Sequence, residues 1–249
     1  MSKVQTFKES VSTAPKEKAS QSHAAFFKQD PVTGCHYFLY PNVKLGKNVQ
    51  IYHNAIIGFP PRGTEIGELE LVIGDNAVIR PFTTIYAGNS IGKDFQTGHC
   101  VMMREGNVIG DNCILGTNAV LECNNKFGDN ITFHTLSCAG NATLETNCFI
   151  GPHVIMLDDP HPICPKYKEC KGGATVKSYA RIGGNVTLLP GVVIGRDCLI
   201  GGGSTVTRDI PDHAVAAGIP AKILSTTQEQ VCYPGFYEKP YEWLKGANL

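Results

Sequence analysis

Residues 109–133 read IGDNCILGTNAVLECNNKFGDNITF. A large apolar residue returns at every sixth position, at Ile109, Leu115, Leu121, Phe127 and Phe133, and a small or aliphatic residue follows four places later at Cys113, Ala119 and Ile131. Neither the 3.6-residue period of a helix nor the two-residue period of an ordinary strand produces this pattern. A period of six describes a chain that turns after each short flat segment, with three segments to a coil of eighteen. Coils stacked on one another put parallel strands about 4.8 Å apart. The expected body is therefore a three-sided prism, with the leading apolar residue and the small residue pointing inward and glycines and Asp-Asn pairs at the corners.

Outward from this stretch, Ile73-Gly74, Ile91-Gly92, Ile109-Gly110 and Phe127-Gly128 lie eighteen apart. Asn76, Asn112, Asn130 and Asn147 fall on one corner, where asparagine tolerates a positive φ. Cys113, Cys148 and Cys198 fall on the small inward position, where a thiol serves as a small hydrophobe. Leu45 to Ile73 is twenty-eight and Leu144 to Val176 is thirty-two, while one residue is lost between Phe127 and Leu144. Two loops, near 59–70 and 157–175, are thus expected to project. Both leave after the third segment of a coil and so emerge along one edge. Residues 1–34 are polar and aperiodic, an expected mobile arm or cap, and 35–224 form the repeat domain. The tail, 225–249, carries Tyr233, Phe236, Tyr237, Tyr241 and Trp243 and is expected to cover an open end or pack on a neighbour.

The 27 glycines are roughly 11% of the 249 residues, against a usual value of about 7%, which fits a chain that turns often. Lys plus Arg and Asp plus Glu are both 22, a formal charge of zero, so no basic excess supports nucleic-acid binding. No apolar run reaches the roughly 18 residues of a membrane span, and the first residues lack a signal-peptide core; the expectation is a cytoplasmic protein with no membrane span. Ten cysteines spread from Cys35 to Cys232 read as reduced thiols rather than a disulfide framework.

Residues 161–224, HPICPKYKECKGGATVKSYARIGGNVTLLPGVVIGRDCLIGGGSTVTRDIPDHAVAAGIPAKIL, resemble the end of the sugar acetyltransferases. They share the HP loop, the PGVxIG coil, the GxGSxVTxDIP edge and the AGxPAKxI exit. With the repeats, the chain from about 40 to 224 resembles the hexapeptide-repeat acyltransferases. That resemblance implies an all-β fold, a left-handed parallel β-helix, although parallel crossovers are otherwise right-handed. It also implies acetyl-CoA as co-substrate, a homotrimer with sites between adjacent prisms, and a loop of one subunit reaching another.

Such transfer needs a base for the acceptor's proton and donors for the oxyanion, with no covalent enzyme intermediate. His161 is the first candidate base, because its pairing with Pro162 matches the loop histidine of the maltose and galactoside acetyltransferases; the plain alternative is a surface histidine. His134, one residue after inward Phe133, is the second, and His99 lies on the same side of the prism. Another branch of the family, acting on lipid precursors and bacillosamine-type sugars, carries its histidine just before an Ile-Gly coil start. Here Arg104-Glu105 and Glu122 occupy that slot, which shifts weight to the loop. Arg104 suits a phosphate or carboxylate and Glu105 or Glu122 an imidazole or amine, unless all three are simply solvated.

Gly183, Gly201, Gly202 and Gly203 admit the pantetheine backbone or merely form corners, and Lys222 suits a phosphate. His161, Cys164 and Cys170 cluster outside the repeat; zinc would suit them, but a fourth ligand and a standard spacing are missing. The first functional reading is transfer of an acetyl group from acetyl-CoA to a sugar, specifically the amine of an amino-sugar nucleotide in surface-polysaccharide synthesis. Sugar O-acetylation is the near alternative. A noncatalytic scaffold is a third reading. A prism-type carbonic anhydrase would need three imidazoles, two of them about five residues apart, and position 139 is Ala139.

Overall fold

The computed structural model describes residues 26–170 and 172–241. The repeat folds as its period predicts, into an all-β parallel solenoid of three sheets, and the hexapeptide repeats imply left-handed winding. Most strands are two residues long, the second buried, as in Val108–Ile109, Ile114–Leu115 and Val120–Leu121. Strands this short have no hairpin partner, and each is paired in parallel with the strand one coil away: Ile109 lies beside Phe127, Leu115 beside Phe133 and Leu121 beside Ala139.

In chain order the three faces begin with His36–Leu39 (face I), Val43–Leu45 (face II) and Gln50–Ile51 (face III). Among the described residues they hold ten, eight and ten strands respectively. Faces I and III each gain an antiparallel strand at one end. Phe27–Gln29 pairs with His36–Leu39 on face I, and Ala221–Thr226 pairs with Ala214–Gly218 on face III. These hairpins sit at opposite ends of the stack. Residues 1–25 of the expected arm and Trp243 of the tail lie outside the described residues.

Phe95, Cys113, Leu115, Ile131, Phe133, Ile150, Cys198 and Ile200 line the prism interior with at most 1% exposure, and Cys148 is 2% exposed. Each large buried side chain of this kind contributes about 1.5–3 kcal/mol, and together they lock the eighteen-residue register. Both excursions run from face I to face II: from Phe59 to Leu71, and from Met156 to Thr175. The second holds a short helix, Tyr167–Cys170. The loops do share one edge, the I/II corner. The residue missing from the period is lost at the same corner, between Ala139 and Leu144, without disturbing the pairing of Phe127 with Leu144.

At the II/III corner Asn76, Asn112, Asn130 and Asn147 have φ of 60°, 54°, 58° and 63°. Their side chains form a ladder: Asn112 Nδ2 donates to Asn130 Oδ1 at 2.9 Å, and Asn130 Nδ2 to Asn147 Oδ1 at 2.9 Å. Asparagine here both accepts the left-handed backbone and bonds to the coil above. Asn130→Val should therefore lower stability by about 2 kcal/mol, through the left-handed penalty of a Cβ-branched residue and the broken ladder, and Asn130→Gly by less than about half of that. Urea denaturation midpoints of the two variants check the order.

Candidate functional site

The residues expected to act divide between the two corners that bound face I. At the I/II corner a buried asparagine ladder fixes the backbone. Asn107 N donates to Asn89 Oδ1 at 2.7 Å, Asn125 N to Asn107 Oδ1 at 2.9 Å, and Ala142 N to Asn125 Oδ1 at 2.9 Å. These three asparagines are at most 2% exposed. They hold Arg104, Glu105 and Glu122 on the rim just outside them.

Arg104 is taken by two carboxylates. Its Nη2 lies 2.9 Å from Glu105 Oε1 and its Nη1 3.1 Å from Glu122 Oε2. The Cys123 thiol donates to the same Glu105 oxygen at 3.1 Å, while Glu105 Oε2 is buried and accepts no hydrogen bond among the described residues. Burial pushes the Glu105 carboxyl upward, but its own backbone N–H, the Cys123 thiol and Arg104 outweigh that and hold it below the ordinary value. The Cys123 thiol is pushed up to about 11 by burial first and by Glu105 second. Arg104 is thus not a spare cation awaiting a phosphate. The rim formed by Glu105, Glu122, Asp158 and Asp159 with Arg104 is net negative.

The second excursion is pinned at this rim. Asp158 takes Asn141 Nδ2 at one side and the Gly172 N–H at 2.9 Å at the other, so it ties both ends of the loop. Asp159 accepts the His161 N–H at 2.9 Å, and the His161 side chain is exposed. Ile163, two residues on, is 99% exposed. Among the described residues no group of three or more His, Cys, Asp or Glu is placed to hold a metal ion, and Cys164 and Cys170 are not joined in a disulfide.

The III/I corner carries the other half. His134 follows Phe133 there, exposed and with its ring 6.1 Å from that of Phe149. His99 is on the same corner but one position out of register, its N–H bonded to Thr117 Oγ1 at 3.3 Å. Gly183, Gly201, Gly202 and Gly203 continue this corner through the last coils. Corner packing explains Gly183, since a Cβ there would come within 2.6 Å of the Gly202 nitrogen; Gly203 has a φ of +71°, which glycine adopts without strain. The result is nevertheless a strip of bare backbone, half-buried at Gly183 and Gly201 and exposed at Gly202 and Gly203, able to meet an amide-bearing chain closely. Lys222 pairs with Ala217, the residue that a Cβ on Gly201 would meet, which puts the lysine at the end of the strip.

His161 and the glycine strip therefore occupy different corners of one chain, and the loop does not lie beside the strip within a single prism. Between them runs face I. Its outward column includes Ile56, Thr84, Met102, Val120, Cys138 and Ile155, in register coil after coil, and carries no charge in any described strand.

Two stretches of the repeat match known families. Residues 173–208 match the bacterial transferase hexapeptide (six repeats), and 106–124 match the hexapeptide repeat of succinyl-transferase. Over these stretches the chain carries the repeats of the hexapeptide-repeat transferases. Among its relatives, the bifunctional protein GlmU of Exiguobacterium sibiricum is 30% identical over 193 residues, 78% of this chain and 40% of that protein. The galactoside O-acetyltransferase of Lactococcus lactis is 36% identical over 128 residues, 46% of this chain and 60% of that protein. This hexapeptide-repeat chain thus spans less than two thirds of either relative. A solved perosamine N-acetyltransferase of Caulobacter crescentus, in complex with CoA and GDP-perosamine, is 18% identical over 74% of this chain and 97% of its own, with a TM-score of 0.44.

The family's repeat signature reports coil geometry, which is why it is silent on Cys123, Asn141 and Asp158. Arg104 and Glu122 are eighteen apart, the length of one coil, and that spacing is the signal that would have paired them. With its thiol at about 11, Cys123 should alkylate about a hundredfold more slowly at pH 8 than a thiol of pKa near 9. Glu105→Gln removes the neighbouring charge and should lower that pKa and speed modification. Mass-resolved iodoacetamide labelling, with the exposed Cys100 as reference, reads both rates.

Proposed function

We propose that this chain is an acetyltransferase that moves an acetyl group from acetyl-CoA to a sugar, with His161 as general base. Residues 35–224 are its catalytic domain and 225–249 its cap. The observation that carries the reading is the division of the candidate residues between the two corners of one uncharged face. A proton-accepting loop stands at the I/II corner, and a bare backbone strip ending in Lys222 at the III/I corner. A second copy packed on face I would bring one chain's loop to the next chain's strip. Three copies close such a ring, each interface being head-to-tail. The exposed Ile163 supports the same arrangement, since a loop tip of this kind gains from burial against a neighbour.

Acetyl-CoA supplies an activated acyl group as a thioester. The bare glycine backbone at residues 183 and 201–203 suits its amide-bearing arm, and Lys222 a phosphate. His161 accepts the proton of the acceptor as its nucleophile attacks, and a backbone N–H stabilises the oxyanion. His134, on the strip's own corner, is the alternative base and otherwise lines the acceptor's approach.

The net-negative rim around Glu105 and Glu122 favours an amine acceptor, because an ammonium group is attracted there before it loses its proton. We therefore place the amine of an amino-sugar nucleotide first, in surface-polysaccharide synthesis. The galactoside O-acetyltransferase among the relatives keeps a sugar hydroxyl as the second reading.

His161→Ala should lower kcat by about a hundredfold to ten-thousandfold with little change in acetyl-CoA affinity. Lys222→Glu should instead weaken acetyl-CoA binding. When these two variants are unfolded, mixed in equal amounts, refolded together and assayed at acetyl-CoA too dilute to occupy the Lys222→Glu site, about a quarter of the sites should pair a native loop with a native strip in a randomly assembled head-to-tail ring. Recovery of activity, with sedimentation at about three times the chain mass, is the expected result. A mixture that stays inactive, or an active monomer, would sink the shared site.

A further inference from the structure

At the II/III corner the asparagine ladder stops at Asn147. The next three coils place Tyr179, Asp197 and His213 in its left-handed position, with φ of 64°, 54° and 63°. A tyrosine there gives up about 1–2 kcal/mol relative to a residue that tolerates the conformation, so the corner alone does not account for it. These three side chains, with Arg181, Arg196 and Lys239, line a cavity of about 320 Å³ that the tail closes with Tyr241.

Charge in this cavity is unbalanced. Arg181, with a side chain only 10% exposed, pairs with Asp197 Oδ1 at 2.9 Å and lies 3.6 Å from the centre of the Tyr241 ring. Asp197 Oδ2 is also occupied, 3.1 Å from His213 Nδ1 and 3.1 Å from the Thr227 hydroxyl, which donates to it. Among the described residues Asp197 is the one carboxylate in the lining, and it answers Arg181. Among the described residues neither Arg196 nor Lys239 has an ion-pair partner. The guanidinium of Arg196 lies 5.0 Å from the centre of the Tyr179 ring; stacking of this kind uses the face of the group and leaves its N–H edge for an anion.

We propose that this cavity binds a phosphate-bearing small molecule, its phosphate held by Arg196, Lys239 and the edge of Arg181, and its ring held against Tyr179 and Tyr241. A phosphate monoester carries about −1.5 to −2 at neutral pH, which matches two uncompensated cations, and arginine forks fit its oxygens. The ring comes from a nucleoside or from a sugar. The II/III corner lies across the prism from face I, away from His161 and Lys222; Arg181 and Tyr241 also line a second pocket that reaches Gly183 on face III, but the phosphate site rests on Arg196 and Lys239 and does not depend on the assignment to acetyl transfer.

The test is calorimetric titration of the full chain, at constant ionic strength, with UDP and with glucose 1-phosphate, using uridine and glucose as phosphate-free controls. One or both phosphates should saturate at one per chain, the controls should not, and the better phosphate names the source of the ring. Arg196→Gln with Lys239→Gln should weaken that binding at least about a hundredfold, two charged hydrogen bonds being lost. Both side chains are exposed, so an unchanged thermal unfolding midpoint is expected alongside. Acetyl-CoA affinity should not move. Failure of both phosphates to saturate by about 10 mM, equal affinity in the double variant, or loss of acetyl-CoA binding along with phosphate binding would each overturn the proposal.

Discussion

A chain of two-residue strands closes a triangle every eighteen residues only if its corners turn sharply, and each II/III corner turns through one residue held at a left-handed φ. Asn112, Asn130 and Asp197 meet that requirement with φ between 54° and 58°. The corner then sets the rest. It fixes strand length, puts alternate side chains inside, and stacks each coil so closely that a Cβ on Gly183 would strike the next backbone. Because every coil repeats the same constraint, the prism tolerates departures only where the chain leaves it and returns in phase. The two excursions and the lost residue before Leu144 all do so at the I/II corner.

The three corners carry different side chains and so have different chemistry. The I/II corner buries a column of asparagines and carries ion-paired charge on its rim. The III/I corner ends in bare glycine backbone. The II/III corner begins as an asparagine ladder and becomes a basic, aromatic cavity in its last coils. Face I separates the first two with an uncharged surface. In a parallel solenoid neighbouring coils are only about 4.8 Å apart, so side chains at one corner interact strongly along the stack, whereas those on different corners meet across the core or through another molecule.

Charge pairing sharpens this picture. A guanidinium with two carboxylates at 2.9 and 3.1 Å is largely neutralised, and the surplus carboxylates define the field an acceptor would meet. Arg181 shows the converse case. Its burial under Tyr241 is tolerable because Asp197 pairs with it, since a buried charge without such a partner is strongly destabilising. Among the described residues the tail meets the prism through Tyr241 over Arg181 and through Thr227, whose hydroxyl donates to Asp197 and whose N–H donates to the His213 carbonyl.

The six-residue period fixed the solenoid, its inward residues and the shared edge of the loops, because each of those follows from local geometry repeated coil by coil. Cys113, Cys148 and Cys198 were legible as buried, and Asn76, Asn112, Asn130 and Asn147 as one corner, from phase alone. The hand of the winding came from family resemblance and not from the period. Arg104 with Glu122 was also within reach, since a spacing of one coil means contact, yet Glu105 with Cys123 joins the same cluster across that spacing and alters which charges remain free. What only the tertiary structure decided was the corner that His161 and the glycine strip each face relative to the other, and the closure of Tyr241 over Arg181. The excursion and the tail have no period, so their sequence carries no phase from which position could be read. Their places are set by contacts such as Asp158 with Asn141 and Tyr241 with Arg181, which exist only after the coils have stacked.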